Sequence, residues 1–368
     1  MVADNIVRIF DKDKAGNMSG ILMAYGIGTR NISVLEGSSF DIYDIKLNRG
    51  VRVSKIERVL VDIGMELGSY SIPVGVPAVR DGVYRLYIQN KDIPSESIST
   101  ILELVGDGSY NNMSSPMPIG VDMYNDIFLA DLSKIPNLLI GGIPGSGKSM
   151  VLHSIILSLI AKSSTDIYLV DPKRVEFSVY DGLSSVKNIS YSACETKSIV
   201  ENLIGVMNRR FEVLRKNKCR DFSDFNKLKG GIRMRPAAII IDEWADIYFQ
   251  DKKIQNVICA LAQKGRAAGI SVVIATQRPS ADVISGLVKA SFSGRMCLKT
   301  SSAIDSRIVI DSGCAERITD VGVGYYRDQN ILDPKVFRSF YIDSIEAEIK
   351  KISPRRNSVL SLLSKSRW

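Results

Sequence analysis

Hydrophobic and polar residues alternate in short runs through the first part of the chain. The runs at residues 41–46 and 83–88 have the period of two that is typical of strands with one buried face. Between them, apolar residues recur at helical spacing from 53 to 67. These elements predict a small α/β domain, which we assign to residues 31–115.

A different pattern follows residues 106–118, a stretch rich in Gly, Ser, Asn, Met and Pro that predicts a connection between domains. Beyond it, β-rich runs alternate with longer helical patterns, so successive strands need crossover connections and a mostly parallel sheet. The predicted strands are 137–142, 166–170, 237–241 and 270–275. We therefore expect a second, α/β domain at 116–345, with a polar leader at 1–30 and a basic tail at 346–368.

The composition is that of an ordinary globular protein. Of 368 residues, 45% are hydrophobic and 24% are charged, and no apolar run reaches the length of a membrane span. The charged residues near the N-terminus are unlike a signal peptide, so we expect a cytoplasmic protein without a membrane span. Five cysteines without a C-x-x-C pair indicate neither a disulfide framework nor a zinc site. The single histidine, His153, has no second imidazole or cysteine nearby, and we interpret it as structural.

The clearest chemical motif joins a buried strand to an apolar helix. Its glycine-rich loop fits the pattern G-x-x-x-x-G-K-[ST], in which backbone N–H groups and the start of the helix surround phosphate oxygens. Lys148 would neutralise the β and γ phosphates, and Ser149 would ligate Mg²⁺. The sequence therefore predicts a site for ATP and Mg²⁺. The residues predicted to line it are Gly142, Ile143, Pro144, Gly145, Ser146, Gly147, Lys148, Ser149 and Met150.

Two carboxylates follow the buried run 237–241. Open α/β sheets bind ligands at the carboxyl ends of their strands, so Asp242 and Glu243 are placed to act on the same nucleotide. We assign Asp242 to the metal, directly or through water, and Glu243 to polarising the attacking water. A strand that merely ends in a solvated Asp-Glu pair is the alternative.

A third strand ends in a polar pair, Thr276-Gln277. At the same sheet edge, Gln277 could sense the γ-phosphate or orient the attacking water, and we count it among the catalytic candidates. The alternative is that the pair only caps the turn before Pro279.

Positive charge is concentrated in one segment. The chain carries 48 Lys and Arg against 40 Asp and Glu, and residues 208–235 hold ten of the former and three of the latter. Such a block suits phosphate groups and favours a nucleic-acid partner. A solvated basic loop that contacts a second subunit is the alternative.

Several strings taken together resemble the FtsK/SpoIIIE family of DNA translocases. They include the glycine loop, the acidic strand end and the stretch after the third strand, and together they are far more specific than the nucleotide motifs alone. An upstream string is similar to the α domain of that family, so the resemblance extends over about residues 31–345. The strings lie at 50–56, 142–149, 171–180, 240–246, 263–270, 275–284 and 301–307.

This resemblance implies a RecA-like P-loop NTPase domain in a homo-oligomeric ring, normally a hexamer, with double-stranded DNA in its pore. ATP would lie between neighbouring subunits, and Arg266 resembles the family's arginine finger, which acts on the neighbour's site. Arg278, Lys289 and Arg307 fall in segments similar to the pore loops that hold the DNA backbone. Contacts to phosphates without base readout are what movement along any sequence requires.

The sequence also departs from the family. Long members carry N-terminal membrane helices, a linker and a C-terminal winged-helix γ domain, and here we expect the motor region alone. Ala303 stands where the family often has a basic residue, so the hold on DNA could be weaker or depend on Arg307. Trp244 replaces the usual Phe after the Asp-Glu pair.

The sequence therefore predicts an ATP-driven translocase of double-stranded DNA, with a protein partner for loading left open. The alternative is a conjugative coupling or genome-packaging ATPase that acts mainly by docking a protein partner, through the basic segment 208–235 and the tail. A small-molecule phosphotransferase would fit the glycine loop but would leave the upstream domain and the net charge unexplained.

Overall fold

The computed structural model describes residues 12–352 apart from 38–39, 70–71, 79–80, 91–95, 123–125, 229–232 and 332. Within these residues the chain forms a four-stranded sheet followed by a ten-stranded sheet. The predicted class, a large and mostly parallel α/β domain preceded by a small α/β domain, is confirmed. Residues 1–11 of the predicted leader and 353–368 of the predicted basic tail lie outside the described part of the chain.

The small domain is an antiparallel sheet covered by short helices. Its strands, in the spatial order β1-β2-β4-β3, are β1 (Thr29–Leu35), β2 (Phe40–Leu47), β3 (Val74–Ala78) and β4 (Val83–Gln89). Its helices are α1 (Lys12–Ala24), α2 (Val53–Arg58) and α3 (Leu60–Glu66). The helix predicted at 53–67 is thus two helices, because the backbone leaves the helical conformation at Val59 (φ −108°, ψ 15°).

Helix α1 lies within residues 1–30, for which the sequence predicts a polar leader. Met18 and Leu22 on this helix are fully buried and join Ile56 and Leu86 in the core of the small domain. The helix is therefore a structural part of that domain. Only three of its 13 residues are buried, so its apolar face is too narrow to stand out in the sequence.

Helix α4 (Ile98–Gly106) follows the small domain in sequence but packs elsewhere. Ser97 caps its start by accepting a hydrogen bond from the N–H of Ser99 at 3.3 Å. Its buried residues Ile101 and Leu102 belong to the core of the large sheet. The packing therefore places the end of the small domain before Ile98 rather than at residue 115.

The parallel half of the large sheet contains the four strands predicted from the sequence, side by side. In spatial order, the six parallel strands are β12 (Gly294–Leu298), β7 (Asn137–Gly141), β11 (Ile270–Thr276), β10 (Ala237–Ile241), β8 (Asp166–Val170) and β9 (Val186–Ser190). Strands β7, β10 and β11 are buried along their whole length. This burial on both faces explains why they form continuous apolar runs in the sequence.

The antiparallel half of the large sheet is absent from the sequence-based prediction. Its strands, in the spatial order β13-β14-β5-β6 beyond β12, are β5 (Pro116–Val121), β6 (Ile127–Asp131), β13 (Val323–Arg327) and β14 (Lys335–Arg338). The predicted connection at 106–118 therefore already enters the sheet at Pro116.

Helices cover both faces of this sheet. Alternate residues of β10 point to opposite sides, so that Ile239 and Ile241 join one buried core while Ala238 and Ile240 join the other. The helices are α5 (Lys148–Lys162), α6 (Ala193–Lys216), α7 (Phe222–Asn226), α8 (Trp244–Gln250), α9 (Ile254–Gly265), α10 (Gly286–Ser291), α11 (Ala303–Ile310) and α12 (Ile345–Ile352). Across the described ranges, no helix combines the length and apolar character that crossing a bilayer requires.

The small domain is fixed to the large one by a buried apolar contact. Phe40 and Tyr87 share a core cluster with Val323 of β13. The side-chain amide of Gln89 also donates a hydrogen bond to Asp320. The small domain therefore rests on the segment that leads into β13.

Candidate active site

The glycine-rich loop connects β7 to α5 at the carboxyl edge of the parallel strands. Gly145 and Gly147 have φ angles of +75° and +99°, which residues with a Cβ rarely adopt. A Cβ on Gly147 would also lie 2.9 Å from the Cα of Gly322. The hydroxyl of Ser146 is buried in this loop without a hydrogen-bond partner among the described residues. A buried polar group in this state fits a loop that a ligand oxygen completes.

Lys148 begins α5, and its ammonium group is paired with Asp242 at the end of β10. The Nζ atom donates to the carboxylate of Asp242 and, at 2.8 Å, to its backbone oxygen. Each side chain is only 3% exposed. The pair is buried, so little water is available to solvate either charge. An anion that enters the glycine loop would need the same ammonium group and would therefore compete with Asp242 for Lys148.

Glu243 is held by the end of the neighbouring strand, β11. One carboxylate oxygen accepts a 2.6 Å hydrogen bond from the hydroxyl of Thr276. The backbone N–H of Gln277 lies 3.1 Å and 3.0 Å from the two carboxylate oxygens. The structure thus brings Asp242, Glu243 and Gln277 to one sheet edge beside Lys148, as the sequence predicts, and gives Glu243 a fixed orientation.

Glu176 belongs to this site but is not among the residues predicted for it. Its carboxylate accepts a 3.0 Å hydrogen bond from the hydroxyl of Ser149 and lies 3.3 Å from Nε2 of His153. The hydrogen bond with His153 is the largest effect that lowers the pKa of Glu176. His153 is buried and its Nδ1 lies 2.8 Å from the hydroxyl of Tyr180. The string 171–180, which carries part of the family resemblance, is the sequence signal that points to Glu176.

The donors around the start of α5 suit a divalent cation. Asp242 contacts Lys148 and Glu176 contacts Ser149, so one hydroxyl and two carboxylates surround this helix end. The turn that carries Glu176 is held by Asp171, whose carboxylate accepts from the N–H of Phe177 at 2.9 Å. Such oxygen donors are those that Mg²⁺ prefers, so these residues fit a magnesium ion bound together with a nucleotide.

Arg266 lies far from this group within one chain. It begins the 3₁₀ turn Arg266–Ala268, between the end of α9 and the amino end of β11, and its side chain is exposed. The glycine loop follows the carboxyl end of β7, and β7 runs parallel to β11. Arg266 and Lys148 therefore lie at opposite edges of the same sheet.

The three residues predicted to contact DNA fall in two places. The exposed guanidinium group of Arg278 lies over the ring of Phe249, with its Cζ atom 5.3 Å from the ring centre. Lys289 on α10 and Arg307 on α11 are neighbours, since Nζ of Lys289 lies 3.5 Å from the backbone oxygen of Arg307. Lys289 also forms a 2.8 Å ion pair with Asp311. The structure therefore brings Lys289 and Arg307 together, with Lys289 already paired.

Part of the basic segment 208–235 stabilises the fold. The guanidinium group of Arg210 donates to the backbone oxygens of Ala268 at 2.6 Å and Arg235 at 2.7 Å. Arg235 in turn donates to Asp166 at 3.0 Å. Arg209 and Arg220 are exposed. The charge of this segment is thus divided between internal contacts and the surface.

Comparison with known proteins gives one family model and relatives named DNA translocase FtsK. The FtsK/SpoIIIE family model matches residues 101–281. The chain is 31% identical over 319 residues to the DNA translocase FtsK of Caldanaerobacter subterraneus subsp. tengcongensis, covering 84% of this chain and 44% of that protein. It is also 31% identical over 345 residues to the DNA translocase FtsK of Clostridium acetobutylicum, covering 91% and 45%. The chain thus spans less than half the length of these relatives.

Solved structures share the fold. The pCW3 conjugation coupling protein TcpA, in its monomer form with ATPγS, matches with a TM-score of 0.64 at 19% identity, covering 92% of this chain and 99% of that one. The cytoplasmic domain of the Type VII secretion ATPase EccC of Thermomonospora curvata gives a TM-score of 0.57 at 23% identity, covering 65% and 31%. At these identities the likeness concerns the fold alone, which is that of RecA-like P-loop ATPases. The match to the family model and the sequence relatives show that the chain belongs to the FtsK/SpoIIIE family.

Proposed function

We propose that this protein is an ATP-driven translocase of double-stranded DNA, which hydrolyses ATP between the subunits of a ring. The observation that carries the proposal is the convergence of four groups at one sheet edge: Lys148, Ser149, Asp242 and Glu243. A loop with an unpaired buried hydroxyl on Ser146 lies beside them. This combination fits a bound triphosphate better than it fits a purely structural role.

Nucleotide binding rearranges the contacts of Lys148 in this proposal. The ammonium group leaves Asp242 for the β and γ phosphates, while the N–H groups of the glycine loop and the hydroxyl of Ser146 surround the phosphate oxygens. Mg²⁺, when bound, would neutralise the β and γ oxygens, and Ser149 and Asp242 would hold it. Glu176 accepts from Ser149 and thereby orients its hydroxyl.

Glu243 is the base of the proposed reaction. Thr276 and the N–H of Gln277 fix its carboxylate, so that it can accept a proton from a water aligned with the γ-phosphate. The positive charge that stabilises the transition state is assigned to Arg266 of a neighbouring copy, because Arg266 lies at the opposite edge of the sheet.

DNA contact is assigned to Arg278, Lys289 and Arg307. These cationic side chains suit phosphate oxygens, and contacts to phosphates carry no sequence information, as transport along any sequence requires. The net charge of +8 supports a polyanionic partner. The ring, normally a hexamer in this family, is part of the proposal. A measurement of mass with and without nucleotide and duplex DNA tests it.

Two variants test the catalytic assignment. Lys148→Ala should lose nucleotide binding, and Glu243→Ala should keep binding, while each should abolish the ATP turnover that duplex DNA stimulates. Lys162→Ala, at the other end of α5, is the matched control and should retain turnover. If either active-site variant still turned over ATP at the rate of the control, the assignment would be wrong.

A second measurement separates a motor from a switch. A translocating ring displaces a triplex-forming strand from duplex DNA in an ATP-dependent manner, whereas a coupling ATPase that acts mainly by docking a partner protein leaves the triplex in place. Glu243→Ala provides the control, since it should bind DNA and ATP without displacement. If the protein hydrolysed ATP but never displaced the strand, translocation would be contradicted. The assignment of ATP hydrolysis would still stand.

A further inference from the structure

A cavity of about 520 Å³ opens at the sheet edge opposite the glycine loop. Lys134 lies just before β7, Arg220 lies just before α7, and Lys264 and Arg266 lie where α9 ends before β11. All four cations line this one cavity. The volume is typical of a small-ligand site.

The four cations are unpaired among the residues that the structure describes. Lys134, Arg220, Lys264 and Arg266 are exposed, and none forms an ion pair with a described carboxylate. A set of mutually repelling charges in one concave site is stabilised by a multivalent anion.

The two carboxylates on the cavity wall have other partners. Asp131 accepts hydrogen bonds from the N–H groups of Ser114 at 3.2 Å, Ser115 at 3.1 Å and Ser133 at 3.0 Å. Asp221 caps α7 by accepting from the N–H of Asp224 at 2.9 Å. These aspartates therefore hold the loops, and their two negative charges against four positive ones leave the cavity lining with a net formal charge of +2.

The position of the cavity identifies the source of the anion. It lies at the amino ends of β7 and β11, while the glycine loop follows the carboxyl end of β7. The five residues of β7 span roughly 16 Å at about 3.3 Å per residue, so a triphosphate in the glycine loop cannot reach the cavity of the same chain. A phosphate site at one edge and a cation site at the other are complementary in a head-to-tail contact between two copies.

We propose that this cavity binds the triphosphate of a nucleotide held in the glycine loop of a second copy, and that Lys134 and Arg220 contact it beside Arg266. The inference rests on the nucleotide binding of the proposed function and extends it to Lys134 and to Arg220 of the basic segment 208–235, neither of which lies in the strings that carry the family resemblance. A compact cavity suits a polyphosphate better than a DNA backbone, which needs an extended basic track.

Complementation between variants tests the cavity. Lys148→Ala has an intact cavity and a disabled glycine loop. Arg220→Ala has an intact glycine loop and a disabled cavity. Arg220→Ala and Lys134→Ala should each lower ATP turnover about tenfold, as expected for one lost charged hydrogen bond. A mixture of Lys148→Ala and Arg220→Ala should exceed the mean of the two separate rates, because some contacts combine one intact loop with one intact cavity. Lys253→Ala, an exposed lysine at the start of α9, is the control and should leave turnover unchanged.

The outcomes separate the possibilities. A mixture that never exceeds the mean would overturn the assignment in trans. The assignment would also be overturned if Arg220→Ala bound duplex DNA more weakly but turned over ATP normally at saturating DNA. The cavity would then hold the DNA backbone. The affinity for a fluorescent, non-hydrolysable ATP analogue gives a readout independent of turnover. Arg220→Ala should lower the affinity for this analogue only at protein concentrations at which copies associate. If the variant and the wild type bound the analogue equally well at those concentrations, the inference would be contradicted. This holds even if the wild type failed to hydrolyse ATP.

Discussion

The hydroxyl of Thr276 donates to Glu243 at 2.6 Å, and the same oxygen accepts a hydrogen bond from the backbone N–H of Arg278 at 3.0 Å. Thr276 is fully buried. Helix α8 begins directly after Glu243 and carries Phe249, which lies under the guanidinium group of Arg278. Arg278 therefore contacts both elements that determine where the Glu243 carboxylate points.

Replacing Thr276 tests this relationship. Thr276→Val keeps the shape and removes the donor, so the carboxylate of Glu243 loses one of its two anchors and Arg278 N–H loses its acceptor. A hydrogen bond to a charged group contributes about 1.5–3 kcal/mol, so kcat for ATP should fall roughly tenfold to a hundredfold. KM for ATP should change little, because binding depends on the glycine loop. Steady-state kinetics with and without duplex DNA measures both constants.

Thr276→Ser is the matched control for that variant. It restores the hydroxyl on a smaller side chain and should recover most of kcat. If valine and serine behaved alike, the hydroxyl would have no positioning role, and the effect would come from packing alone.

The buried pair of Lys148 and Asp242 predicts opposite effects with and without magnesium. Asp242→Asn removes the group that competes with phosphate for Lys148, so ATP affinity in EDTA should rise several-fold. In the presence of Mg²⁺ the same variant should lose ATP turnover, because a carboxylate ligand is gone. Fluorescence titration of nucleotide and steady-state assays measure the two effects.

The nucleotide-free stability of this variant gives a third readout. Removing one partner of a buried ion pair costs about 3 kcal/mol. The free energy of unfolding of Asp242→Asn without nucleotide should therefore fall by about that amount. ATP affinity in EDTA that drops in parallel with stability would mean that Asp242 supports the loop and does not compete for Lys148.

Much of the parallel half of the sheet and of the site could be predicted from the sequence. Strands β7, β10 and β11 are buried on both faces and therefore leave apolar runs. Asp242 and Glu243 stand directly after β10, Gln277 stands directly after β11, and Lys148 follows the glycine loop that leaves β7. The rule that parallel strands present their carboxyl ends at one edge then places these residues together. In this part of the chain, the apolar runs that predict the strands also locate the residues of the site.

The remaining features depend on long-range contacts that leave no local pattern. Strand β6 is mostly exposed or half-buried and joins the sheet only through β5, so its sequence has no strong apolar signal. Glu176 reaches Ser149 from a turn 27 residues away in sequence, and no spacing rule predicts that contact. The cavity lined by Lys134 and Arg220 is likewise formed by residues distant in the chain.

Asp311 holds the predicted DNA-contacting residue Lys289. Its carboxylate forms ion pairs with Lys289 at 2.8 Å, Arg295 at 2.7 Å and Arg327 at 3.1 Å. Asp311→Asn should free this positive charge for DNA phosphates, so duplex affinity at low salt should rise and its dependence on log salt should steepen by about one unit. Asparagine also tolerates the positive φ of 59° at this position, so the backbone is preserved. Binding titrations over a range of salt concentrations measure the slope.

Lys289→Ala is the opposing variant to Asp311→Asn. It should weaken duplex binding and reduce the salt slope by about one unit if Lys289 contacts a phosphate. Equal slopes in the wild type and both variants would remove Lys289 from the DNA-contacting set. Thermal unfolding of each variant checks that Arg295, which is largely buried, still packs.

Trp244 is a structural residue of this chain. It is fully buried, and its indole N–H donates to the backbone oxygen of Val283 at 3.1 Å. Trp244→Phe would leave a small cavity and an unpaired carbonyl, so the free energy of unfolding should fall by about 1–3 kcal/mol. Chemical denaturation followed by circular dichroism measures the loss. Phe249→Leu, on the exposed side of the same helix, is the control and should cost less than about 1 kcal/mol. A Trp244→Phe variant that lost no more stability than this control would mean that the bond to Val283 adds little.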